Sequence, residues 1–180
     1  METVNDQVLV ANAAVGDNDA ISELFRRHYP AVVRYARSLS TCSTAAEDLA
    51  SEAFMRTLER VRAGAQPAVF RAYIFTAVRN LFVDQLRRRR EDSIDDPASC
   101  HDDLLVSPDP SVHSVELLTV RTALAALSTT HRQVLELAIV DGLTNAEIAD
   151  VLGMGPNATA SLTYRARRAL QLVYPMPEAV

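Results

Sequence analysis

Along most of the chain apolar residues return every three or four positions, and no stretch keeps the strict alternation of a strand, so the sequence predicts an all-α protein. A first short helix is expected from Asp6 to about Val15, where Gly16 stops it. A second follows Asp17, whose carboxylate can accept from the open amides of a helix start. Pro30 falls inside the periodic stretch from Ile21 to Leu39 and should kink or break it, because it lacks the amide that the helix ladder needs. Thr44-Ala-Ala-Glu47 has the form of a capping box and should open a helix reaching about Val61. After a loop at Ala63 to Pro67, with Pro67 suited to a first helical turn, a helix bent near Ala72 should run through Arg90. Its Ile74, Val78 and Leu81, flanked by Phe75, Phe82 and Leu86, make a face that can bury, while Asn80, Asp84 and Arg87 fall on another.

From Glu91 to about Ser111 the periodicity lapses into Asp, Ser and Pro, including Pro97, Pro108 and Pro110, a composition that cannot bury enough apolar surface to fold alone. Helical spacing resumes near Val112 and continues to Leu127. Ser128 should then cap a helix to about Val140, ended by Asp141-Gly142. The expected organisation is therefore two small helical domains, 1–92 and 112–180, joined by a flexible acidic linker, 93–111.

The second domain carries a motif. Thr144-Asn-Ala-Glu147 is another capping box, opening a short helix from Asn145 to Leu152 with Ile148, Ala149 and Leu152 inward. Gly153 permits a sharp turn, and Gly155-Pro156 can begin a helix through about Val173. Two helices about a glycine turn describe a helix-turn-helix, whose second helix can enter the major groove of DNA, although an ordinary helical hairpin shares the pattern. Asn157, Thr159, Ser161 and Thr163 are the candidates for base edges or phosphate oxygens, and Arg165, Arg167 and Arg168 for phosphates.

Net charge is −5, but the charge is partitioned: residues 20–90 hold 13 arginines and 6 acids, whereas residues 91–118 hold 8 acids and no arginine. Arg87, Arg88, Arg89 and Arg90 complement the negative end of a helix dipole and also offer phosphate a dense set of forked donors. The helix from Arg71 to Arg90 accordingly reads as nucleic-acid-binding, against the plainer reading of a solvated basic end. Cys42 and Cys100 are too few and too far apart for a disulfide framework, and no secretory signal or membrane-spanning run is present, so a reduced cytoplasm is expected. Cys100, His101 and His113 match no closed zinc spacing, and no metal or cofactor is expected. Without a phosphate-cradling glycine loop or a nucleophile and its partners, the sequence gives no support for an enzyme.

Taken together, the two halves resemble sigma factors of the extracytoplasmic-function (ECF) type, in the bacterial RNA polymerase sigma-70 family. Leu24-Phe-Arg-Arg-His-Tyr-Pro30, Ala46-Glu-Asp-Leu-Ala-Ser-Glu-Ala-Phe54 and Phe70-Arg-Ala-Tyr-Ile-Phe-Thr-Ala-Val-Arg-Asn80 are similar to region 2 of that family. Leu127-Ser-Thr-Thr-His-Arg-Gln-Val-Leu135, Gly142-Leu-Thr-Asn-Ala-Glu-Ile-Ala149 and Arg165-Ala-Arg-Arg-Ala-Leu170 are similar to region 4.

The resemblance implies a promoter-recognition subunit with core RNA polymerase and promoter DNA as partners, an anti-sigma protein as regulator, and no membrane contact of its own. It implies that Glu47, Asp48, Leu49, Glu52 and Phe54 dock on the polymerase clamp, unless the acids are simply an exposed helix face. It implies that Tyr73, Arg79, Asn80, Asp84 and Arg87 to Arg90 face the minus-ten element, with the loop from Ala63 to Pro67 forming a pocket for an extruded base. The helix-turn-helix would face the minus-thirty-five element. Two positions depart from the family: Tyr73 stands where tryptophan is frequent and could instead be core, and Ala160 and Leu162 replace common basic residues. The competing reading is a stand-alone helix-turn-helix regulator, which has no evident use for the docking helix or for the face of Asn80 and Asp84.

Overall fold

The computed structural model describes residues 5–40, 42–92 and 126–174, and every regular element among them is helical. The expected linker and the expected helix from Val112 lie outside the described residues, as do Cys100, His101 and His113. The described helices fall into two compact units.

The first unit contains α1 (Asp6–Ala14), α2 (Asn18–Leu39), α3 (Ser43–Arg62) and α4 (Phe70–Asp92). Asp17 caps α2 as expected, its carboxylate accepting from the amides of Asp19 and Ala20. Leu24, Val32 and Tyr35 of α2, Leu49, Phe54 and Val61 of α3, and Ile74, Phe75 and Val78 of α4 form the core where these three helices pack together. Aromatic rings extend it: Phe54 lies edge-on to Phe25 at 5.0 Å and to Phe70 at 6.2 Å, and Tyr35 meets Phe75 at 5.1 Å. The shorter α1 adds Leu9, Val10 and Ala13 to this core.

Three boundaries differ from expectation, each because a tertiary contact outweighs a local preference. Pro30 does not break α2, which is a single helix from Asn18 to Leu39. The lost ladder bond costs about 3 kcal/mol, but Leu24 and His28 before it and Val32 and Tyr35 after it bury in the same core and hold both segments in line. The Thr44 and Glu47 capping box does not form: α3 starts at Ser43 after Cys42, with no side-chain cap, and Glu47 instead pairs with Arg37 at 2.7 Å. Pro67 stays in the loop, and α4 starts at Phe70, which is buried against His28 and Phe54.

A polar cluster ties α1 to α2. Asp6 approaches Arg27 Nη1 at 3.1 Å through one carboxylate oxygen and His28 Nε2 at 2.7 Å through the other. The second contact is close but lies off hydrogen-bond alignment. Burial disfavours a charged imidazole and pushes His28 below its ordinary value of 6.5; Arg71 and Arg27 push the same way, and Asp6 opposes them. On the exposed side of α2, hydrogen bonds from Arg26 and Arg27 pull the Glu23 carboxyl down to about 2.

The second unit contains α5 (Thr129–Leu135), a π-helical turn (Glu136–Val140), α6 (Asn145–Leu152) and α7 (Pro156–Val173). Ser128 caps α5 as expected, accepting from the amide of His131. The α-helix expected to reach Val140 instead widens at Glu136, which keeps Leu137 inward and turns Ile139 and Val140 out. Gly142, at φ 65°, makes the following turn. The second capping box is present in full: Glu147 N–H donates to Thr144 Oγ1 at 3.3 Å, and Thr144 N–H donates to the Glu147 carboxylate at 2.7 Å. Leu135, Leu137, Ile148, Val151, Leu162 and Ala166 form the core of this unit.

Two stability outcomes follow. Thr144→Ala should lower the stability of the second unit by about 1 kcal/mol in urea unfolding. For His28 the folded state resists the proton that the unfolded chain accepts, so stability is full above pH 6.5 and falls as pH drops from there toward the lowered folded value. Hydrogen exchange of α2 amides between pH 7.5 and 5.5 should show this decline, and His28→Gln should flatten it.

Candidate nucleic-acid and docking surfaces

Helices that bury one face in a small bundle present the opposite face outward, and three such faces carry the residues singled out in the sequence. On α3, Ala46, Leu49, Ala50, Ala53 and Phe54 point inward. Leu49 and Phe54 are therefore corrected: they are core residues that hold the helix in place from behind, and neither can touch a partner surface. The outward ridge runs Asp48, Glu52, Met55, Glu59, at intervals of four, three and four residues. Met55 is 59 % exposed and is the large apolar side chain of that ridge. The sequence reading omits Met55 and Glu59, although counting helical intervals from Asp48 finds both.

The acids of α3 differ in their freedom. Glu47 is exposed and paired with Arg37 at 2.7 Å, and Glu52 pairs with Arg56 at 2.6 Å. Asp48 is exposed, and among the described residues no ion pair holds it. Beside the ridge, Tyr29 stacks on Phe25 at 4.2 Å and shares a 2.9 Å hydroxyl contact with Ser51, which extends the outward face onto α2.

On α4, the core side is Phe70, Ile74, Phe75, Val78 and Leu81, and the opposite side lines up Tyr73, Thr76, Asn80, Asp84 and Arg87 at helical intervals. Asn80, Asp84, Arg87 and Arg88 are exposed, and Tyr73 and Arg79 are half-buried. Tyr73 is thus an edge residue, part of its ring against the bundle and part accessible. Among the described residues Asp84 forms no ion pair with Arg87 or Arg88, so the face offers an amide, a carboxylate and guanidinium groups not paired with one another. The side chains of Arg89 and Arg90 lie outside the described residues. The loop before this helix runs from Ala63 to Val69, with Gly64 at φ 99° turning the chain after α3. Its carbonyl at Ala68 accepts from Gln7 Nε2 of α1 at 3.4 Å.

In the second unit, α6, the left-handed Gly153 at φ 61° and α7 form the expected helix-turn-helix. Two candidates on α7 are corrected. Thr159 is 0 % and Thr163 4 % exposed; both sit on the side packed against α5 and α6. Thr159 Oγ1 donates to the Gly155 carbonyl at 3.2 Å, and Thr163 Oγ1 lies 2.9 Å from the Thr159 carbonyl and 3.2 Å from Asn145 Oδ1. The Thr159 hydroxyl is spent on the backbone of its own helix, and that of Thr163 reaches across to Asn145 at the start of α6. Asn157, Ser161, Arg165, Arg167 and Arg168 are exposed as expected, with Arg165 Nε turned back onto the Ser161 carbonyl at 3.3 Å. Asn157, Ser161 and Arg168 share one ridge with Tyr164, which is 62 % exposed and which the sequence reading omits. Ala160 is exposed and Leu162 is core. Among the described residues no group of His, Cys, Asp and Glu is placed to hold a metal ion, and no helix is long and apolar enough to cross a membrane.

Known proteins share this organisation. Residues 24–91 match the family described as Sigma-70 region 2, and residues 117–170 match Sigma-70, region 4. The chain is 30 % identical over 169 residues to the ECF RNA polymerase sigma factor SigL of Mycobacterium tuberculosis, covering 91 % of this chain and 93 % of SigL. It is 29 % identical over 175 residues to the RNA polymerase sigma factor CnrH of Cupriavidus metallidurans, covering 92 % of each. Among solved structures it resembles the sigma factor RpoE in complex with the anti-sigma factor NepR from Bartonella quintana, with a TM-score of 0.71 and 26 % identity over 89 % of this chain and 99 % of that one. It also resembles CnrH in complex with the cytosolic domain of CnrY, with a TM-score of 0.65 and 27 % identity over 94 % and 97 %.

The inward placement of Thr163 has a measurable consequence. Thr163→Val should destabilise the second unit by about 1 kcal/mol while leaving the salt dependence of DNA binding unchanged. A shallower salt dependence at unchanged stability would return that hydroxyl to the DNA surface.

Proposed function

This chain belongs to the ECF group of the RNA polymerase sigma-70 family, and from that premise we propose how its surfaces divide the work of initiation. As a sigma factor it binds core RNA polymerase, recognises promoter DNA and initiates transcription. In this reading the outward ridge of α3, with Asp48, Glu52 and Met55 at its centre and Glu47 on its rim, docks on the polymerase. An apolar anchor inside a charged rim suits a helix-on-helix contact, where the anchor supplies affinity and the charges set register.

The observation that carries the minus-ten assignment is the outward line of α4, Tyr73, Asn80, Asp84 and Arg87, with Asn80 and Asp84 exposed. Separating a base pair costs on the order of a few kcal/mol, which a protein offsets by binding the separated state better. Asn80 and Asp84 read or position a base, Tyr73 offers a stacking edge, and Arg79 with Arg87 to Arg90 holds strand phosphates. The loop from Ala63 to Val69 receives an extruded base. In the second unit Asn157 and Ser161 face base edges of the minus-thirty-five element, and Arg165, Arg167 and Arg168 hold its phosphates.

The chain performs no bond chemistry itself, which falls to the polymerase, and it acts in the cytoplasm where that enzyme works. Domains 1–92 and 112–180 are joined by the acidic segment 93–111, which lets both engage one promoter. Because RpoE and CnrH are solved with NepR and the cytosolic domain of CnrY, an anti-sigma protein is the natural regulator here too. A stand-alone regulator would have no use for the α3 ridge.

Run-off transcription with purified core polymerase on a promoter library tests this reading. Asn80→Ala and Asp84→Ala should each reduce run-off product about 10-fold, the equivalent of 1.4 kcal/mol, with core affinity unchanged. Asp48→Arg combined with Met55→Ala should weaken core binding by about 10-fold or more. Replacing Arg87 and Arg88 with glutamine should lower the slope of log affinity against log salt by about 1 to 2. A chain that redirects no transcript, or whose output ignores these changes, would refute the assignment.

A further inference from the structure

The α1 helix lies outside residues 24–91, the segment that matches region 2, yet it reaches the α4 end of the loop that precedes α4. From Gln7 a side-chain hydrogen bond reaches the Ala68 carbonyl inside the loop, 61 positions away in sequence. From Asp6 one oxygen contacts Arg27 and the other lies against the imidazole of His28, which is 4 % exposed. The His28 ring packs at 5.2 Å on Phe70, the first residue of α4 and the immediate end of the loop. Two adjacent residues at the start of α1 thus reach the loop by two routes, one direct through Gln7 and one through Asp6, His28 and Phe70.

We propose that α1 is a brace that sets the position of the Ala63 to Val69 loop for capture of a promoter strand, with Asp6 and Gln7 as its positioning residues and His28 as the link to α4. The inference rests on the reading of that loop as the receptor of an extruded base. Few internal contacts fix the loop: Gly64 has the freedom of a positive φ, Gln66 is exposed, and Pro67 has no amide to donate. Its conformation therefore depends on what holds its ends. The α3 end is closed by backbone bonds from Ala63, Gly64 and Ala65 onto the last turn of α3, and the α4 end is where α1 acts. Leu9, Val10 and Ala13 bury α1 in the bundle, so its first turn is a fixed point against which the loop is held.

A brace of this kind affects strand opening without touching either DNA or polymerase, and the test separates those effects. Full-length Asp6→Asn, Gln7→Ala and the double variant are combined with core polymerase on a duplex promoter, and unpaired thymines in the minus-ten region are detected by permanganate. The double variant should lose opening by about 5- to 20-fold, the lower part of the range of a typical coupling between sites, with core affinity and α2 hydrogen exchange within twofold of the parent. Ala11→Ser, an exposed change on the same helix, should behave as the parent. Unchanged opening in the double variant, or a loss matched by an equal loss of core affinity or of the folded state, would overturn the brace. If Asn80→Ala and Asp84→Ala reduce opening while the α1 variants do not, the brace alone fails; if none of them matters, the assignment of the α4 surface fails first.

Discussion

Where α2, α3 and α4 meet, Tyr35 against Phe75 and Phe54 against Phe70 and Phe25 fix how far each helix is rotated about its own axis. Rotation is the variable that matters, because a helix with one face committed to a core has no choice about what its other face offers. Turning α4 by a single residue, about 100°, would carry Asn80 and Asp84 off the outward ridge. The buried rings thus determine which polar groups meet solvent. Large interlocking rings suit this role because the close-packed interior permits few alternative rotations.

The charged groups follow from the same commitment. Several acids of the first unit are already engaged locally: Glu23 with Arg26 and Arg27, Glu47 with Arg37, Glu52 with Arg56. Exposed pairs of this kind add little stability, and they set apart Asp48 on α3 and Asp84 on α4, two of the acids without an ion pair among the described residues. Those two carboxylates stand on different helices and on different surfaces, one suited to a protein partner and one beside the guanidinium groups of Arg87 and Arg88. The −5 net charge of the whole chain conceals this arrangement.

The second unit makes the same economy of space visible in its hydroxyls. In a strip of alternating small and polar residues, Asn157, Thr159, Ser161 and Thr163 look equivalent by composition. Packing divides them: Asn157 and Ser161 face out with Tyr164, while Thr159 and Thr163 bond the backbone and Asn145. Alternation by two is a strand's logic, and a helix of 3.6 residues per turn cannot keep four such residues on one side.

The all-helical class, the caps at Asp17, Ser128 and Thr144, the turn at Gly153 and the start of α7 at Pro156 were all legible in the sequence. Each depends on interactions within four residues, and the chain carries that information locally. The sequence likewise placed Asn80, Asp84 and Arg87 on one polar face, since 3.6-residue periodicity alone sorts them. What only tertiary structure decided was every choice between a local preference and a distant partner. Pro30 was kept in a helix by the core on either side of it, Glu47 was drawn from its cap by Arg37, and the start of α4 was set by Phe70. Leu49 and Phe54 went inward while Met55 turned out. Such outcomes depend on the rotation of one helix against another, and that is fixed by residues tens of positions away.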